Sequence, residues 1–432
     1  MDRKALNKLI EWKSTEDKNP LIIRGARQVG KTWLMQEFGK QYYKKTAYVN
    51  FDNNEKLCKI FDKDYDIERI ILALQVEART KIDPNDTLII FDEIQECPKA
   101  LTSLKYFSEY HTNFDIIAAG SLLGVASHEG TGFPVGKVDF VDLYPLNFVE
   151  FAKAMGEEQL IELVEKKDYE MIAVFKSKFE TLLKQYCYFG GMPAVIMNFI
   201  KNRDFTKARA KQKSILSTYE EDFSKHIPSN TVSKTRLLWK SIPAQLSKEN
   251  KKFIYGAVKE GARAKDMENA MSWLCDAGLI YKVNRISKPD LPLIAYEDFN
   301  AFKLFVLDVG LLGAMTNLKA STMIDGNKIF EEFKGAIAEQ YVLQQFKSIE
   351  DIPVFYWTNS GNTAEIDFVI QAEDSVVPIE VKATTNLQAK SLKVYMEKYH
   401  PNYAIRTSLS DYNQNENLLD MPLYAIESLS LA

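Results

Sequence analysis

The chain carries the octapeptide Gly25-Ala26-Arg27-Gln28-Val29-Gly30-Lys31-Thr32, which has the form Gly-x-x-x-x-Gly-Lys-Thr. The apolar, strand-like run Leu21–Arg24 leads into it, and a helical pattern that begins at Trp33 follows it. In such a setting glycine backbone N–H groups approach phosphate oxygens closely, and the positive end of the following helix points at them. The octapeptide therefore predicts a loop that binds a nucleoside triphosphate.

The polar residues of this loop have predicted roles. We expect Lys31 to reach the β- and γ-phosphates and the Thr32 hydroxyl to bind Mg²⁺. The predicted nucleotide contacts are Gly25, Gln28, Val29, Gly30, Lys31, Thr32 and Trp33.

A second segment points to hydrolysis. The run Thr87–Asp92 is apolar up to Asp92, and Glu93 follows it directly. Because ligands of open α/β sheets bind at the carboxyl ends of the strands, both carboxylates are expected beside the phosphates. Asp92 is placed to hold Mg²⁺ through water, and Glu93 to orient or deprotonate the attacking water.

The next predicted strand, Asp115–Ala119, is followed by Gly120 and Ser121. A hydroxyl at this position can touch the γ-phosphate or the attacking water, which makes Ser121 a candidate catalytic sensor. Gly-Ser is equally typical of an ordinary turn, so both interpretations stay open.

One absence bears on mechanism. No arginine occurs between Arg79 and Arg203, the stretch in which ring-forming ATPases are expected to carry the arginine that acts on a neighbouring subunit's nucleotide. Lys137 or an arginine beyond Arg203 could substitute, or ring assembly is not used. The absence argues against an unfoldase or a motor and leaves the oligomeric state open.

Length and composition set broad limits. A chain of 432 residues favours two or three domains, and a net charge of -4 does not exclude a nucleic-acid partner. The four cysteines are scattered without metal-ligand spacing, and no run of about 18 apolar residues exists. We therefore expect a cytoplasmic protein without a zinc site or a membrane span.

The pattern of elements predicts an α/β fold with four parts. Residues 1–150 alternate strands and helices, as a P-loop parallel sheet does, and 151–228 are predominantly helical, as a lid would be. Residues 229–325 predict a winged-helix module, with helices at 234–246, near Asn250 and at 264–274, then strands at 279–283 and 293–296. Residues 326–432 predict a restriction-endonuclease-like α/β domain, which opens with a helix from Ile329 to Phe346.

The winged-helix prediction favours DNA as a partner. A thin basic face would come from Lys259, Arg263, Lys265, Lys282, Arg285 and Lys288. Modules of this kind also serve only to contact neighbouring domains, and that alternative stays open.

The C-terminal part contains a PD-(D/E)xK-like pattern. Asp367 lies on one predicted strand, and Glu380 and Lys382 share a face of the next strand, while Glu339 lies on the preceding helix. Carboxylates brought together in this way can hold Mg²⁺, and an adjacent ammonium can activate a bound water. The alternative is a retained fold with an ordinary charged surface and no cleavage activity.

Taken with later motifs, these segments resemble a prokaryotic family, the AAA-type ATPases with a C-terminal DUF4143 region (the AAA_14 plus DUF4143 architecture). The motifs that carry the resemblance include Gly132–Val138, Leu143–Leu146, Phe189–Val195, Thr218–Asp222, Asp308–Leu312, Glu365–Val369 and Ile379–Lys382. The resemblance covers essentially the whole chain and implies a cytoplasmic protein that binds ATP.

Two functional hypotheses remain. The first is a Mg²⁺-dependent ATPase whose nucleotide state positions the winged-helix and nuclease-like modules, with DNA as the partner. The second is a slowly hydrolysing ATP/ADP switch that signals to a protein partner and has no nuclease activity. Gly191-Met192-Pro193 resembles the Gly-x-Pro of signalling ATPases, in which the proline packs on the adenine, so Pro193 is a predicted nucleotide contact. A helix boundary would explain the same three residues equally well.

Overall fold

The computed structural model describes residues 2–84, 86–110, 113–121, 132–248, 251–320, 334–349, 352–372, 374–385 and 387–429. The chain forms two compact units. The first unit comprises residues 2–144 and 276–279, and the second comprises 145–275 and 280–432. The predicted boundary at 325/326 and the predicted helix start at Ile329 lie outside the described residues, so the division into four parts stays a prediction.

The first unit is built on a five-stranded sheet. Its strands are β1 (Leu21–Arg24), β2 (Lys45–Asn50), β3 (Thr87–Asp92), β4 (Asp115–Ala119) and β5 (Asp139–Asp142). They lie in the order β2-β3-β4-β1-β5, and all neighbouring pairs are parallel. The carboxyl end of β4 therefore lies between those of β1 and β3, where the polar residues that follow the three strands can meet. The predicted α/β fold with a parallel sheet is confirmed.

Helices cover this sheet, and β3 is buried beneath them. They span Ala5–Ser14, Lys31–Tyr42, Glu55–Lys63, Ile67–Ala78 and Pro98–Tyr110. Every residue of β3 is buried, as expected for a strand of a parallel sheet with both faces covered. The Phe91 ring lies 5.4 Å from the ring of Phe51 and 6.2 Å from that of Phe61, each edge-on. This packing fixes the strand that presents Asp92.

The second unit begins with helices. The helices assigned wholly or mainly to it span Phe148–Ala154, Glu158–Glu165, Tyr169–Val174, Lys176–Phe189, Pro193–Asn202, Phe205–His226, Ser229–Leu246, Tyr255–Val258, Ala264–Asp276, Val309–Met315, Lys334–Ile349 and Lys390–Tyr399. Among the described residues, none of the helices combines the length and the apolar character needed to cross a membrane.

An eight-stranded mixed sheet completes the second unit. Its strands are β6 (Ile280–Ile286), β7 (Glu297–Val306), β8 (Val354–Thr358), β9 (Glu365–Ala372), β10 (Ser375–Val381), β11 (Ala404–Ser408), β12 (Asn413–Asn415) and β13 (Leu418–Pro422). Their order is β12-β13-β11-β10-β9-β8-β6-β7. β10 therefore lies inside the sheet, paired with β9 on one side and β11 on the other.

The hairpin that the sequence assigned to a winged helix belongs to this sheet. Helices Ser229–Leu246, Tyr255–Val258 and Ala264–Asp276 do precede two antiparallel strands, β6 and β7. However, β6 also pairs with β8 in parallel, so the hairpin forms the edge of the C-terminal sheet. The predicted strand Leu293–Tyr296 is wrong, because these residues form a 3₁₀ turn in which Ile294 is 65% exposed, and β7 begins at Glu297.

A buried carboxyl group organises the second unit. Asp308 caps the helix Val309–Met315 by accepting from the Leu311 N–H at 2.9 Å, and it also accepts from the Gly191 N–H at 2.6 Å. The amide of Gln344 donates to the same side chain at 3.0 Å. A side chain at Gly190 would place its Cβ 2.1 Å from Asp308 Oδ1, which explains why glycine occupies that position.

Candidate functional site

The loop Gly25–Thr32 depends on unusual backbone angles. Gly25 has a φ of +144° and Gly30 a φ of +100°, values that glycine adopts without strain. A Cβ at Gly25 would lie 2.2 Å from the carbonyl oxygen of Leu143, so no other residue fits there. Gln28 is exposed and also left-handed, with a φ of +67°. The loop thereby turns sharply from β1 into the helix that starts at Lys31.

Lys31 lies inside the loop. Its ammonium donates to the carbonyl oxygens of Gly25 and Ala26, each at 2.8 Å. Burial lowers the pKa of Lys31 to about 8, although the carboxylates of Glu93 and Asp92 oppose the shift. A buried ammonium that donates to two neutral carbonyls is poised to exchange them for an anion.

Thr32 and Asp92 meet at the end of β3. Thr32 Oγ1 donates to Asp92 Oδ2 at 2.7 Å, and the hydroxyl of Tyr48 donates to the same oxygen at 2.8 Å. The backbone N–H of Glu93 donates to the other oxygen, Asp92 Oδ1, at 3.1 Å. Tyr48 reaches the site because β2 lies beside β3, which the sequence did not reveal. Burial raises the pKa of Tyr48, so its hydroxyl keeps its proton as a donor.

The oxygen atoms of Thr32 and Asp92 fit a Mg²⁺ ion. Mg²⁺ binds oxygen ligands and is held in such sites by a hydroxyl and a carboxylate together with substrate phosphates. The hydrogen bond between the two side chains shows that they converge on one point, and Asp92 is 3% exposed. The residues present therefore suit the predicted metal.

Glu93 belongs to a network of hydrogen bonds with neighbouring side chains. Its Oε2 accepts from the Ser121 hydroxyl at 3.2 Å and from the Gln95 amide at 2.6 Å. Arg27 Nε donates to the Ser121 oxygen at 3.0 Å. The structure thus brings together the predicted residues Glu93 and Ser121, and it adds Arg27 and Gln95, which the sequence did not assign to the site. The position of Arg27 inside the loop was the available indication.

The remaining predicted nucleotide contacts have different settings. Val29 is buried, whereas Trp33 is 40% exposed on the helix after the loop. Pro193 belongs to the second unit, as the first residue of the helix Pro193–Asn202. Gly190 and Gly191 separate this helix from the preceding one and face Asp308, so the helix-boundary interpretation accounts for the two glycines. A contact of Pro193 with adenine stays a prediction.

Two basic residues of the hairpin pair with acidic side chains, and a third lies over an aromatic ring. Arg285 Nη2 lies 2.6 Å from Asp298 Oδ2, and Lys288 Nζ lies 2.5 Å from Asp290 Oδ2. The ammonium of Lys282 lies 4.5 Å from the centre of the Phe302 ring. Ion pairs of this kind reduce the positive charge that a DNA backbone would meet.

The predicted nuclease-like residues come together within the second unit. Asp367 Oδ2 accepts from the Val381 N–H at 2.8 Å, which ties β9 to β10. Lys382 Nζ lies 2.6 Å from Glu380 Oε1, while Glu380 Oε2 has no hydrogen-bond partner within the described chain. Burial raises the pKa of Asp367 well above its ordinary value, with Glu339 and Glu380 contributing to the shift.

Two lysines that the sequence did not place here enter the same cluster. Lys303 of β7 is completely buried, with Nζ 2.6 Å from Glu365 Oε1 and 3.4 Å from Glu339 Oε2. The ammonium of Lys251 forms an ion pair with the other oxygen of Glu339. Burial alone would raise the pKa of Glu339, but Lys251 and Lys303 hold it at about 2. A single lysine in the buried strand segment Ala301–Val306 was the clue available in the sequence.

Family models match three stretches of the chain. An AAA domain model matches residues 17–152, and a model of a domain of unknown function, DUF4143, matches residues 334–426. A second domain of unknown function, DUF8612, matches residues 180–322. The predicted combination of an AAA domain with a C-terminal DUF4143 region is confirmed.

Individual relatives are distant. A protein of Haemophilus influenzae described as uncharacterized is 25% identical over 299 residues, which cover 63% of this chain and 71% of the relative. Among solved structures, a Walker-type ATPase of Pyrococcus abyssi is 15% identical with a TM-score of 0.44, covering 73% of this chain and 95% of its own. The Aeropyrum pernix Orc1 protein, solved in complex with DNA, is 10% identical and also covers 73% of this chain and 91% of its own, with a TM-score of 0.28. Cdc6p from Pyrobaculum aerophilum, at 11% identity, covers 73% and 92% with the same TM-score of 0.28.

Proposed function

We propose that this chain, in which an AAA domain precedes a DUF4143 domain, is an ATPase whose first unit binds ATP with Mg²⁺ and hydrolyses it. The observation that carries the proposal is the contact between Thr32 Oγ1 and Asp92 Oδ2 at 2.7 Å. It joins the start of the helix after the phosphate loop to the end of β3, and a metal ion bound by phosphates requires both groups at one point.

The other residues have roles that follow from their positions. Lys31 would leave the carbonyls of Gly25 and Ala26 to contact the β- and γ-phosphates. Mg²⁺, when bound, would neutralise negative charge on the phosphates. Glu93 would orient the attacking water and accept its proton, and Ser121 would hold the Glu93 carboxylate in place.

A turn of the first unit supports coupling of nucleotide state to the rest of the chain. Residues 276–279 belong to the first unit, yet they directly connect the helix Ala264–Asp276 to β6. Gly278 lies beside the loop, where a Cβ would be in van der Waals contact with Ala26, 3.4 Å from its nitrogen. A change of loop conformation on ATP binding would therefore act on a segment that is covalently continuous with the second unit.

The downstream partner separates two versions of this proposal. An action on DNA is supported by the order of helices and hairpin, but the ion pairs of Arg285 and Lys288 weaken it. A slowly hydrolysing switch that signals to a protein is favoured by the absence of arginine between Arg79 and Arg203. Purification of the chain with tightly bound ADP would support the switch.

The test is steady-state ATP hydrolysis by the full chain, with and without double-stranded DNA at low salt. Lys31→Ala should abolish turnover, whereas Lys40→Ala, which removes an exposed ammonium from the same helix, should leave it unchanged. Equal rates for wild type and Lys31→Ala would refute the ATPase. Stimulation by DNA would favour the first version, and absence of DNA binding at low salt would exclude it.

A further inference from the structure

The carboxylate cluster of the second unit has an arrangement of charge that a metal site would not need. Four carboxyl groups, those of Glu339, Glu365, Asp367 and Glu380, lie with three ammonium groups, those of Lys251, Lys303 and Lys382. The last lysine belongs to the nuclease-like pattern, whereas the first two come from outside it. Their positions decide whether a cation has room and charge to bind.

Lys303 is held from several sides. Its ammonium contacts Glu339 and Glu365 and lies 4.9 Å from the centre of the Tyr356 ring. An ammonium without exposure to water is costly unless carboxylates compensate it directly. The surroundings of Lys303 therefore stabilise its ammonium in the charged form inside the protein.

Lys251 forms the second ion pair of the Glu339 carboxylate. Each oxygen of this carboxylate faces a different ammonium, one from Lys251 and one from Lys303. The helix Lys334–Ile349 leaves room for Lys251 because position 335 is glycine, where a Cβ would lie 3.2 Å from the Lys251 nitrogen. Gly335 and Glu339 are one helical turn apart and so share a face. Space and charge are thus both adapted to this ammonium.

The remaining carboxyl groups belong to the same network, although Glu380 Oε2 has no hydrogen-bond partner within the described chain. Asp367 accepts at Oδ2 from the Val381 N–H at 2.8 Å, and burial, with Glu339 and Glu380 beside it, raises its pKa. The other three carboxylates, those of Glu339, Glu365 and Glu380, form ion pairs with the three ammonium groups. Among the described residues, no three Asp, Glu, His or Cys side chains are arranged to hold a metal ion.

We propose that Lys251 and Lys303 occupy the place of a divalent cation in this cluster. The cluster is then a metal-independent lock that ties β7 and the segment around Lys251 to the helix of Glu339 and to β9. The nuclease-like residues keep their places on the helix and strands, but ion pairs within the cluster neutralise their charges. The cluster therefore does not cut DNA. This inference does not depend on ATP hydrolysis.

The test is a Mn²⁺ titration of the nucleotide-free full chain, followed by electron paramagnetic resonance, in an Asp92→Asn background that removes the candidate metal ligand of the first unit. Without further change the chain should bind no Mn²⁺ up to about 1 mM. Lys251→Ala should remove the ammonium from Glu339 and create a Mn²⁺ site. Its Kd should be at least tenfold below the limit of about 1 mM expected without this change. Lys252→Ala changes the exposed neighbouring lysine and is the matched control, which should create no Mn²⁺ site.

Two outcomes overturn the proposal. One is a Mn²⁺ site in the Asp92→Asn chain that disappears on Asp367→Asn, because the cluster would then hold a metal in its native form. The other is failure of Lys251→Ala to gain Mn²⁺ while its circular dichroism and Tm remain those of a folded protein. Should Lys251→Ala fail to fold, Lys251→Met keeps the apolar stem while removing the charge, and the same criterion applies to it.

Discussion

Arg27 Nε donates a hydrogen bond to the hydroxyl oxygen of Ser121 at 3.0 Å, and that hydroxyl donates in turn to Glu93. A guanidinium from the phosphate loop itself is thereby connected to the candidate general base. The connection lies wholly within the first unit and needs no residue from another subunit. It offers a source of positive charge in a chain that has no arginine between Arg79 and Arg203.

Arg27 and Ser121 should act as one element. Arg27→Met and Ser121→Ala are each expected to lower kcat for ATP hydrolysis about 10²-fold, because either change disrupts the contact through which Ser121 orients Glu93. Since the two residues act through the same contact, the double variant should cost little more than either single one. Arg27→Lys should not restore the rate, because an ammonium cannot reproduce the Nε–H geometry.

Steady-state kinetics of the four variants test this expectation. Arg79→Met, which removes an exposed arginine from the same unit, serves as the control and should keep the wild-type rate. Strictly multiplicative losses in the double variant would show that Arg27 and Ser121 act independently.

Glu93→Gln should separate binding from hydrolysis. The amide has nearly the shape of the carboxylate but cannot accept the proton of the attacking water, so kcat should fall about 10²- to 10⁴-fold. The Kd for ATP, measured with a fluorescent analogue, should change less than threefold, because Glu93 makes its contacts with Ser121 and Gln95. An unaltered kcat would remove Glu93 from the catalytic role.

The affinity for ATP should weaken above pH 8. The pKa of Lys31 is lowered to about 8 by burial, so the nucleotide-free protein loses this positive charge as the pH rises through that value. A bound triphosphate favours the ammonium form, and ATP binding must then take up a proton. The Kd should rise by up to about tenfold per pH unit above pH 8 until the pKa of the bound state is reached.

Calorimetric titrations between pH 7 and pH 9.5 would check this dependence. The terminal phosphate is already ionised over most of this range, so its own titration contributes little. In Lys31→Arg the side chain stays charged, and the slope should disappear. A flat profile in the wild type would contradict the assignment.

Asp308 should be essential for the stability of the second unit. Asp308→Ala leaves the buried N–H groups of Gly191 and Leu311 without an acceptor, and each unsatisfied group costs about 1–3 kcal/mol. We expect the free energy of unfolding to fall by about 3 kcal/mol or more, measured by urea denaturation.

The matched control for this change is Asp86→Ala. Asp86 forms a surface ion pair with Lys44 at 3.0 Å, and such pairs contribute little. Its loss should alter the free energy of unfolding by less than about 0.5 kcal/mol. Similar effects of the two substitutions would show that the contacts of Asp308 are not stabilising.

The sequence predicted the parts of the nucleotide site that are local. The loop Gly25–Thr32 can be recognised from adjacent residues because its glycines set its backbone geometry. The run Thr87–Asp92 can be recognised in the same way because its apolar character is continuous. Tyr48 and Gln95 were missed because neighbouring strands and a short turn bring them to Asp92 and Glu93. Such meetings depend on strand order, which no local pattern specifies.

The C-terminal prediction was incomplete for the same reason. Alternation along the strands correctly placed Asp367 and Glu380 on neighbouring strands, whereas Lys382 lies one residue beyond the end of β10. The pairing of β6 with β8 brings in β7 and with it Lys303. The segment Leu293–Tyr296 misled because an apolar run is compatible with a strand and with a 3₁₀ turn. Only the packing of the hairpin onto the sheet distinguishes the two.

The discontinuity of the first unit has a consequence for how the protein is made. Residues 276–279 emerge from the ribosome long after residue 144, yet they are part of the same compact body. During synthesis the contact between the phosphate loop and Gly278 can form only after the intervening helices have been produced. A fragment that stops at residue 150 would lack this turn, so dissection of the chain into expressible pieces should keep residue 279 with the nucleotide site.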